Sequence, residues 1–527
     1  MSQTLHIFRK DVRQHWIVIL LCQVALLLYS WNVVESWRGS SFGPQITASL
    51  LHLLLPLTWI FFILRVVQSE SLVGGRQFWV TRPYEWKKLL AEKVLLVVVF
   101  LNLPALIAGA FLLVEAGFSP APHVLGLLWI QLLLFLVPFL PLLALASITR
   151  NLIPAVVTLL VLLFLMVGAS FLMLYTYSSG AVGFVGLGVY VPHASGGLES
   201  MALLFACLVA VVLQYARRRT VQSRMWLIGG LLAAMTISLV SAYAERGKDP
   251  FPAPAKQTLP FHAALDPVKL TLVRRELEKD ESVPIGIPVS ASGIPENFLG
   301  SIHGMRLVLE GPRGEHWDGI SNRAAELLVP GDNRWKAVFQ MNYETYQRLR
   351  SLPLKAKVTL SVDSFREQNF ETVTAGGGEF EVPGIGRCRL WRYQQVLHCN
   401  SPLVSAPAVV LRLDPNLSTC PVEEGKQSNP PALDGLPYAW WPGRSSELPE
   451  GGVSPVASTL FYFWNFDHTR ICPGTALNFS FPKFSENVRN DFEISDFKLD
   501  DYRRPDFSTD GISNAAGVKL GLPRPPR

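Results

Sequence analysis

The stretch Ser69–Lys93, SESLVGGRQFWVTRPYEWKKLLAEK, lies between two strongly apolar segments and is itself crowded with charge and aromatic rings. Gly74 and Gly75 allow a sharp bend where the chain leaves a membrane. Pro83 suits the first turn of a helix, where its missing N–H costs nothing. Thr81 is placed to cap that helix, although Tyr84 stands where a full capping box needs Glu or Gln. Trp86, Leu89, Leu90 and Val94 follow at helical spacing, so one face can lie among headgroups and run on into a span. Arg76, Arg82, Lys87, Lys88 and Lys93 put the stretch on the cytoplasmic side. An ordinary positive-inside loop with interfacial aromatics would carry the same charges. Such a loop does not require the ordered run from Phe78 to Pro83.

The flanking sequence reads as membrane. Apolar runs of about 20 residues each, enough to cross a hydrocarbon core of ~30 Å, occur near 16–35, 46–67, 93–115, 122–148, 152–175, 199–216 and 225–243. Lys and Arg gather in the loops at 76–93, at Arg150 and at 217–224, with Arg38 the exception on the other side. With the N-terminus inside, seven spans leave everything after Ala244 outside. The net charge of +6 hides two unlike halves. Residues 1–248 hold 17 Lys and Arg against 8 Asp and Glu; residues 249–527 hold 30 against 33. The basic balance is therefore a topology signal, not a nucleic-acid signal.

Residues 1–15 read as an amphipathic helix on the inner surface, with Leu5, Phe8, Val12 and Trp16 along one stripe and Arg9, Lys10 and Arg13 outside it. A signal peptide fits less well, since the apolar run is long and Tyr29 to Arg38 lacks a small-residue cleavage pattern. Residues 177–198, apolar but rich in Gly, are expected to be re-entrant on the outer face; a full crossing would put Arg217 to Arg224 outside. Pro104, Pro138, Pro141 and Pro154 predict kinks. Arg65 is near enough to the inner end of its span to snorkel. His52 either lines a path or packs with a hydrogen bond. No run of intramembrane Asp or Glu suggests a proton relay.

Glu70, Gly74, Phe78-Trp79, Thr81-Arg82-Pro83 and Leu89-Leu90-Ala91-Glu92-Lys93 resemble the loop between the second and third spans of type-2 ABC transporter permeases. The resemblance covers roughly the first 220 residues, and residues 1–15 are similar to the elbow helix that opens those permeases. It implies a coupling loop at 68–93 that docks on a separate ABC ATPase subunit, and a second permease subunit, the same chain or a related one. ATP would bind the partner; no cofactor is expected in this chain. The seventh span and the outer half depart from the usual six-span pattern and leave the transported substrate open.

Beyond a Pro-rich linker at 245–262, strands dominate residues 263–510. Ala356, Val358, Leu360 and Val362 alternate with polar residues, as do Trp335, Ala337, Phe339 and Met341. Met305/Leu307/Leu309 and Val409/Leu411/Leu413 give two more strands, and Leu460 to Trp464 is apolar on both faces. Asn342 is placed to cap a short helix holding Tyr346 and Leu349. Phe492 and Ile494 are out of phase with Phe497 and Leu499, which predicts a bulge. The expected fold is thus a multi-span α-helical membrane domain at 16–244, six spans plus a seventh, followed by an exoplasmic all-β, sandwich-like domain. That domain is one large sandwich or two small ones. Residues 511–527 read as a flexible tail.

Cys388, Cys399, Cys420 and Cys472 all lie in the outer half and are candidate disulfides. Cys388 and Cys399 flank a hairpin, which would leave Cys420 with Cys472. Zinc is the alternative, without a C-x-x-C spacing to support it. Cys22 and Cys207 lie in spans and read as packing residues. No P-loop, nucleophile elbow or H-E-x-x-H occurs, so catalysis in this chain is not expected. His316-Trp317-Asp318 is too bare to name a site; Asp500-Asp501 and Asp506 to Asp510 read as solvated turns, with cation binding as the alternative. The reading is a permease subunit of an ATP-driven ABC transporter in an inner or plasma membrane of bacterial type, in contact with membrane lipid and not with nucleic acid. The alternative is a membrane-anchored exoplasmic binding or sensor protein without transport. The coupling-like loop 68–93 speaks against it, because an anchor needs one span and no such loop.

Overall fold

The computed structural model describes residues 3–37, 45–69, 85–162, 164, 196–246, 259–266, 282–321, 327–331, 333–368, 370–376, 378–391, 396–401, 403, 409–412, 438–441, 460–465 and 474–503. Helix α1 (Gln3–Trp37) is unbroken over 35 residues. Nothing between Arg9 and Val24 is Gly or Pro, so no residue interrupts its hydrogen bonds. At 1.5 Å per residue it is about 52 Å long. The surface helix expected at 1–15 and the first span therefore form one rod. Helix α2 (Gln45–Gln68) holds Pro56, a breaker the expected kinks do not include.

Helix α3 (Trp86–Val97) passes through a π turn, Val98–Asn102, into α4 (Leu103–Glu115). Pro104 has no N–H to give the Phe100 carbonyl and crowds it sterically. The Leu103 N–H reaches back to the Val98 carbonyl instead. Gln23 of α1 donates its Nε2 to the Phe100 carbonyl at 2.7 Å. An unmet backbone group is costly in lipid, so one proline sets both the π turn and the polar contact that answers it. After the turn Ala121–His123 the pattern recurs. α5 (Val124–Leu134) passes through the π turn Phe135–Phe139, which contains Pro138, into α6 (Leu140–Ile148). Asn102 donates to the Gln131 carbonyl at 3.0 Å, a buried polar link between the two broken helices.

α7 (Leu152–Leu162), α8 (Gly196–Arg217) and α9 (Thr220–Arg246) follow. Among the described residues, four stretches are long and apolar enough to cross a membrane: Thr4–Glu35, Trp86–Glu115, Ala121–Ile148 and Gly197–Arg217. Leu53–Gln68 and Leu152–Leu162 are apolar but shorter. Of the segment expected to be re-entrant, only 196–198 is described, as the start of α8. α8 and α9 approach closely: a Cβ on Gly230 would sit 2.2 Å from that of Ala206.

The C-terminal half is built from antiparallel strands. In chain order they begin with β1 (His262–Leu265), β2 (Val283–Ser292), β3 (Phe298–Glu310), β4 (His316–Ser321), β5 (Leu327–Leu328), β6 (Asn333–Met341) and β7 (Leu354–Arg366), with α10 (Tyr343–Leu349) before β7. Then come β8 (Glu371–Thr374), β9 (Glu379–Val382), β10 (Gly386–Trp391), β11 (Val396–Ser401), β12 (Val409–Arg412), β13 (Tyr438–Trp441), β14 (Leu460–Asn465), β15 (Ala476–Ser480), β16 (Lys483–Phe497) and the short α11 (Leu499–Tyr502).

Four sheets result, with strand orders β1-β2-β6, β16-β7-β3-β4 (β5 on β3), β13-β12-β15-β8 and β14-β11-β10-β9. Alternating side chains of the first two sheets, among them Ile285, Ile287, Leu307, Phe339 and Val358, share one buried core. Val382, Leu397, Leu411, Leu477 and Phe479 of the other two share a second. β7 pairs with β16 along its length, so the second pair of sheets is inserted between two neighbouring strands of the first.

Asn342 caps α10, its side chain accepting from the Thr345 N–H at 2.8 Å. The register of β7 and β16 shifts between Ile494 and Phe497, where Asp496 takes a φ of 54°. Leu460 to Trp464 has the pattern of an interior strand, yet β14 is an edge strand among the described residues. Asp318 of the bare triplet is held by Arg306, Nη2 to Oδ2 at 2.6 Å. Asp500 accepts the hydroxyl of Tyr346.

Candidate functional site

Five helix ends gather at one end of the bundle. Gln68, at the end of α2, donates Nε2 to Thr149 Oγ1 at 2.9 Å and to the Asn151 carbonyl at 3.1 Å, just past α6. Arg224 of α9 donates to the Ile148 carbonyl at 3.1 Å, covering the α6 terminus. Trp86, Leu89 and Leu90 at the start of α3 pack on Leu140 and Ala144 of α6 and on Val211 and Tyr215 of α8. Arg218 takes a φ of 51° in the turn between α8 and α9. Lys87, Arg150, Arg217, Arg218 and Arg219 stand exposed around these contacts. Both stems of the segment 70–84 are thereby tied to α6 and α8.

Beneath this surface lies a buried ionic cluster. Lys93 Nζ bonds Asp11 Oδ2 and lies 3.2 Å from Glu92 Oε2. All three side chains are at most 1% exposed. His15, buried one turn beyond Asp11, shares its face of α1. Two acids and one Lys cannot be left unmet in such a place without a large desolvation cost. The cluster joins the start of α1 to the start of α3. The buried face of α1 here is Ile7, Asp11 and His15. The apolar stripe in the sequence differs: Leu5 and Trp16 are exposed. Sequence reasoning missed this cluster, reading Lys93 only as one of the cations that put the loop on the cytoplasmic side. The available signal was Asp11, the only acid before Glu35, with His15 one turn on.

Glu70, Gly74, Phe78, Trp79, Thr81, Arg82 and Pro83 lie outside the described residues. The side chain of His52 does too, although its backbone is part of α2. Arg65 is exposed in the last turn of α2.

The opposite end of the bundle meets the β sheets. The Arg387 N–H of β10 donates to the Ala116 carbonyl at 3.0 Å, and its guanidinium faces Glu115 at 3.9 Å. Gly117, at a φ of 90°, lies against Glu381 of β9: an added Cβ would come within 3.0 Å of Glu381 Cδ. Leu403 packs between Leu113 of α4 and Leu127 of α5. Cys388 and Cys399, opposite each other on β10 and β11, form a disulfide beside this contact. Cys420 and Cys472 lie outside the described residues. Among the described residues no group of His, Cys, Asp and Glu is arranged to hold a metal ion. No protein-family model matches the chain, and no curated protein matches its sequence.

Proposed function

We propose that this chain is the membrane-spanning permease subunit of an ATP-driven ABC transporter, coupled to a separate ATPase through the segment 68–93. The observation that carries the reading is the anchoring of both stems of that segment. Gln68 ties one to the end of α6; Trp86, Leu89 and Leu90 pack the other on α6 and α8, and Lys93 joins it to α1. A partner that displaced the segment would therefore push on α1, α6 and α8 through its stem helices α2 and α3. The exposed Lys and Arg around it suit an acidic docking surface.

The apolar helices support a membrane protein, and the disulfide at the far end suits an oxidising, exoplasmic compartment for the sheets. The proposed topology has seven spans, the N-terminus inside and residues 249–527 outside. Two such subunits would enclose a path. In this reading ATP is bound and hydrolysed by the partner, and closure of the ATPases moves the coupling segment.

Copurification tests this. Trp79→Ala and Arg82→Ala are expected to weaken association with the ATPase, by about 2 kcal/mol or more if Trp79 is an interface hot spot, and to abolish ATP-dependent activity. Membrane insertion and the outer fold should be unchanged. Wild-type association and activity in both variants would remove the coupling assignment in favour of a membrane-anchored sensor. Labelling at Gly74, Arg218 and Gly377 checks the topology; cytoplasmic reactivity at Gly377 would overturn it.

A further inference from the structure

The turn between α8 and α9 carries Arg217, Arg218 and Arg219 in succession, all exposed. No carboxylate among the described residues pairs with them. Arg219 gives a bond to the neutral Gln222 side chain, Nη1 to Oε1 at 3.2 Å. The acids of this hairpin, Glu199 and Glu245, stand at its other end. From Glu199 to Arg217 is about 27 Å along α8, well beyond a Debye length of ~10 Å. Three adjacent guanidiniums thus stand without a counter-charge from their own hairpin.

An apolar groove begins at the same turn. On one flank of the close contact between Ala206 and Gly230, Phe205 of α8 and Trp226 of α9 meet edge to face, centroids 6.2 Å apart. They remain 59% and 45% exposed. Toward the turn, Phe205 is followed on its face of α8 by the exposed Leu208 and Val212. On α9, Trp226 shares its stripe with Gln222 and Arg219 toward the turn and with Gly229 and Ala233 away from it. A Cβ on Gly229 would meet nothing within 4 Å, so the stripe is open there. From Arg219 to Gly229 is about 15 Å along α9, half of a ~30 Å hydrocarbon core and so one leaflet deep.

We infer that this flank of the α8–α9 hairpin binds an anionic phospholipid, its phosphate on Arg218 and Arg219 and an acyl chain in the groove from Trp226 to Gly229. Guanidinium forks match phosphate oxygens and keep their charge at every relevant pH. Three uncompensated cations favour an anionic lipid over a zwitterionic one. An acidic protein surface is the competing occupant of the same arginines. The groove decides for the lipid: it is apolar, it runs on from Arg219, and it follows a helix long and apolar enough to cross a membrane. The inference does not rest on the coupling reading, because the segment 68–93 contributes nothing to the site, and Lys87 and Arg150 remain for a docked partner.

The test uses the full chain, delipidated in detergent with its disulfide intact, and native mass spectrometry during titration with phosphatidylglycerol or phosphatidylcholine of the same acyl chains. Wild type should retain phosphatidylglycerol at least about tenfold more tightly, the scale of one charged hydrogen bond. Arg218→Gln combined with Arg219→Gln should erase that preference. Arg9→Gln combined with Arg13→Gln removes as much charge from exposed positions of α1 and should leave it intact. Gly229→Leu fills the groove and should weaken retention of both lipids, while unfolding no earlier than wild type because Gly is the poorer helix former. Equal loss of preference in the two arginine pairs would reduce the effect to net charge and overturn the site. Unchanged retention in Gly229→Leu would overturn the groove and the inference with it. Preference intact without Arg218 and Arg219 would do the same, and a fall in ATPase copurification in that variant would assign the arginines to the protein partner. Displacement of the lipid by inorganic phosphate at equal concentration would make this a soluble anion site instead.

Discussion

The backbone N–H of Arg387 donates to the carbonyl of Ala116 at 3.0 Å. This bond joins a strand of the second pair of sheets to the turn between α4 and α5, and it depends on the path of the chain at Gly117. A φ of 90° there is the left-handed region that residues other than glycine avoid, and Glu381 fills the space a Cβ would need. Gly117→Ala is expected to cost about 1–2 kcal/mol locally and to push Glu381 aside. Faster amide hydrogen exchange at Arg387, with the cores of both sheet pairs still protected, is the measurement that checks it.

The buried ions at the other end make a second prediction. Lys93→Ala leaves Asp11 and Glu92 without their cation and is expected to destabilise the helical half by about 3–5 kcal/mol. Replacing the set by Asp11→Leu, Glu92→Gln and Lys93→Met should recover most of that loss, because no buried charge then remains. Thermal unfolding in detergent compares the variants. Equal loss in the single and triple variants would mean that the ions act through packing alone.

Removing the Cys388–Cys399 crosslink by Cys388→Ser is expected to cost about 2–4 kcal/mol in the second pair of sheets. Both thiols sit in that core at 1% exposure or less. In denaturant they should resist alkylation until reduced, and the same is expected of Cys420 and Cys472. Cys22 and Cys207 are buried among helices and should stay unlabelled in the folded protein but react in denaturant without reduction. Four freely reactive outer thiols would contradict an oxidising compartment.

The last prediction concerns acid. Burial pushes the Asp491 carboxyl up, but the bonds from Arg489 and Thr359, with the charges of Arg489 and Lys357, outweigh it and hold the group below the usual carboxylate range. Arg489 donates to Asp491 at 3.1 and 3.2 Å, and Lys357 lies 3.8 Å away. A carboxyl with a lowered folded pKa adds stability above its unfolded value, about 4. It loses that contribution as pH falls through the folded value. Asp491→Asn should therefore melt earlier than wild type at neutral pH, with the gap closing below about pH 4. A gap unchanged at pH 3 would show that geometry, not charge, is responsible.

The order of apolar runs followed by alternating strands was legible without coordinates, because hydrophobic periodicity is local: neighbours in sequence decide whether a segment is a span or a strand. The Asn342 cap and the bulge before Phe497 were legible for the same reason. Other features were set by contacts between residues far apart in sequence. Pro104 predicts a break in its helix, but only packing supplies Gln23 to satisfy Phe100. Lys93 reads only as a cytoplasmic-side cation until α1 brings Asp11 against it, 82 residues away. The insertion of one pair of sheets between β7 and β16 depends on pairing across more than a hundred residues, which no local pattern encodes. The charged contact at Arg387 likewise exists only where a hairpin from one half meets helix ends from the other. Its residues carry no shared signal in the chain, since side-chain chemistry is written locally and proximity is not.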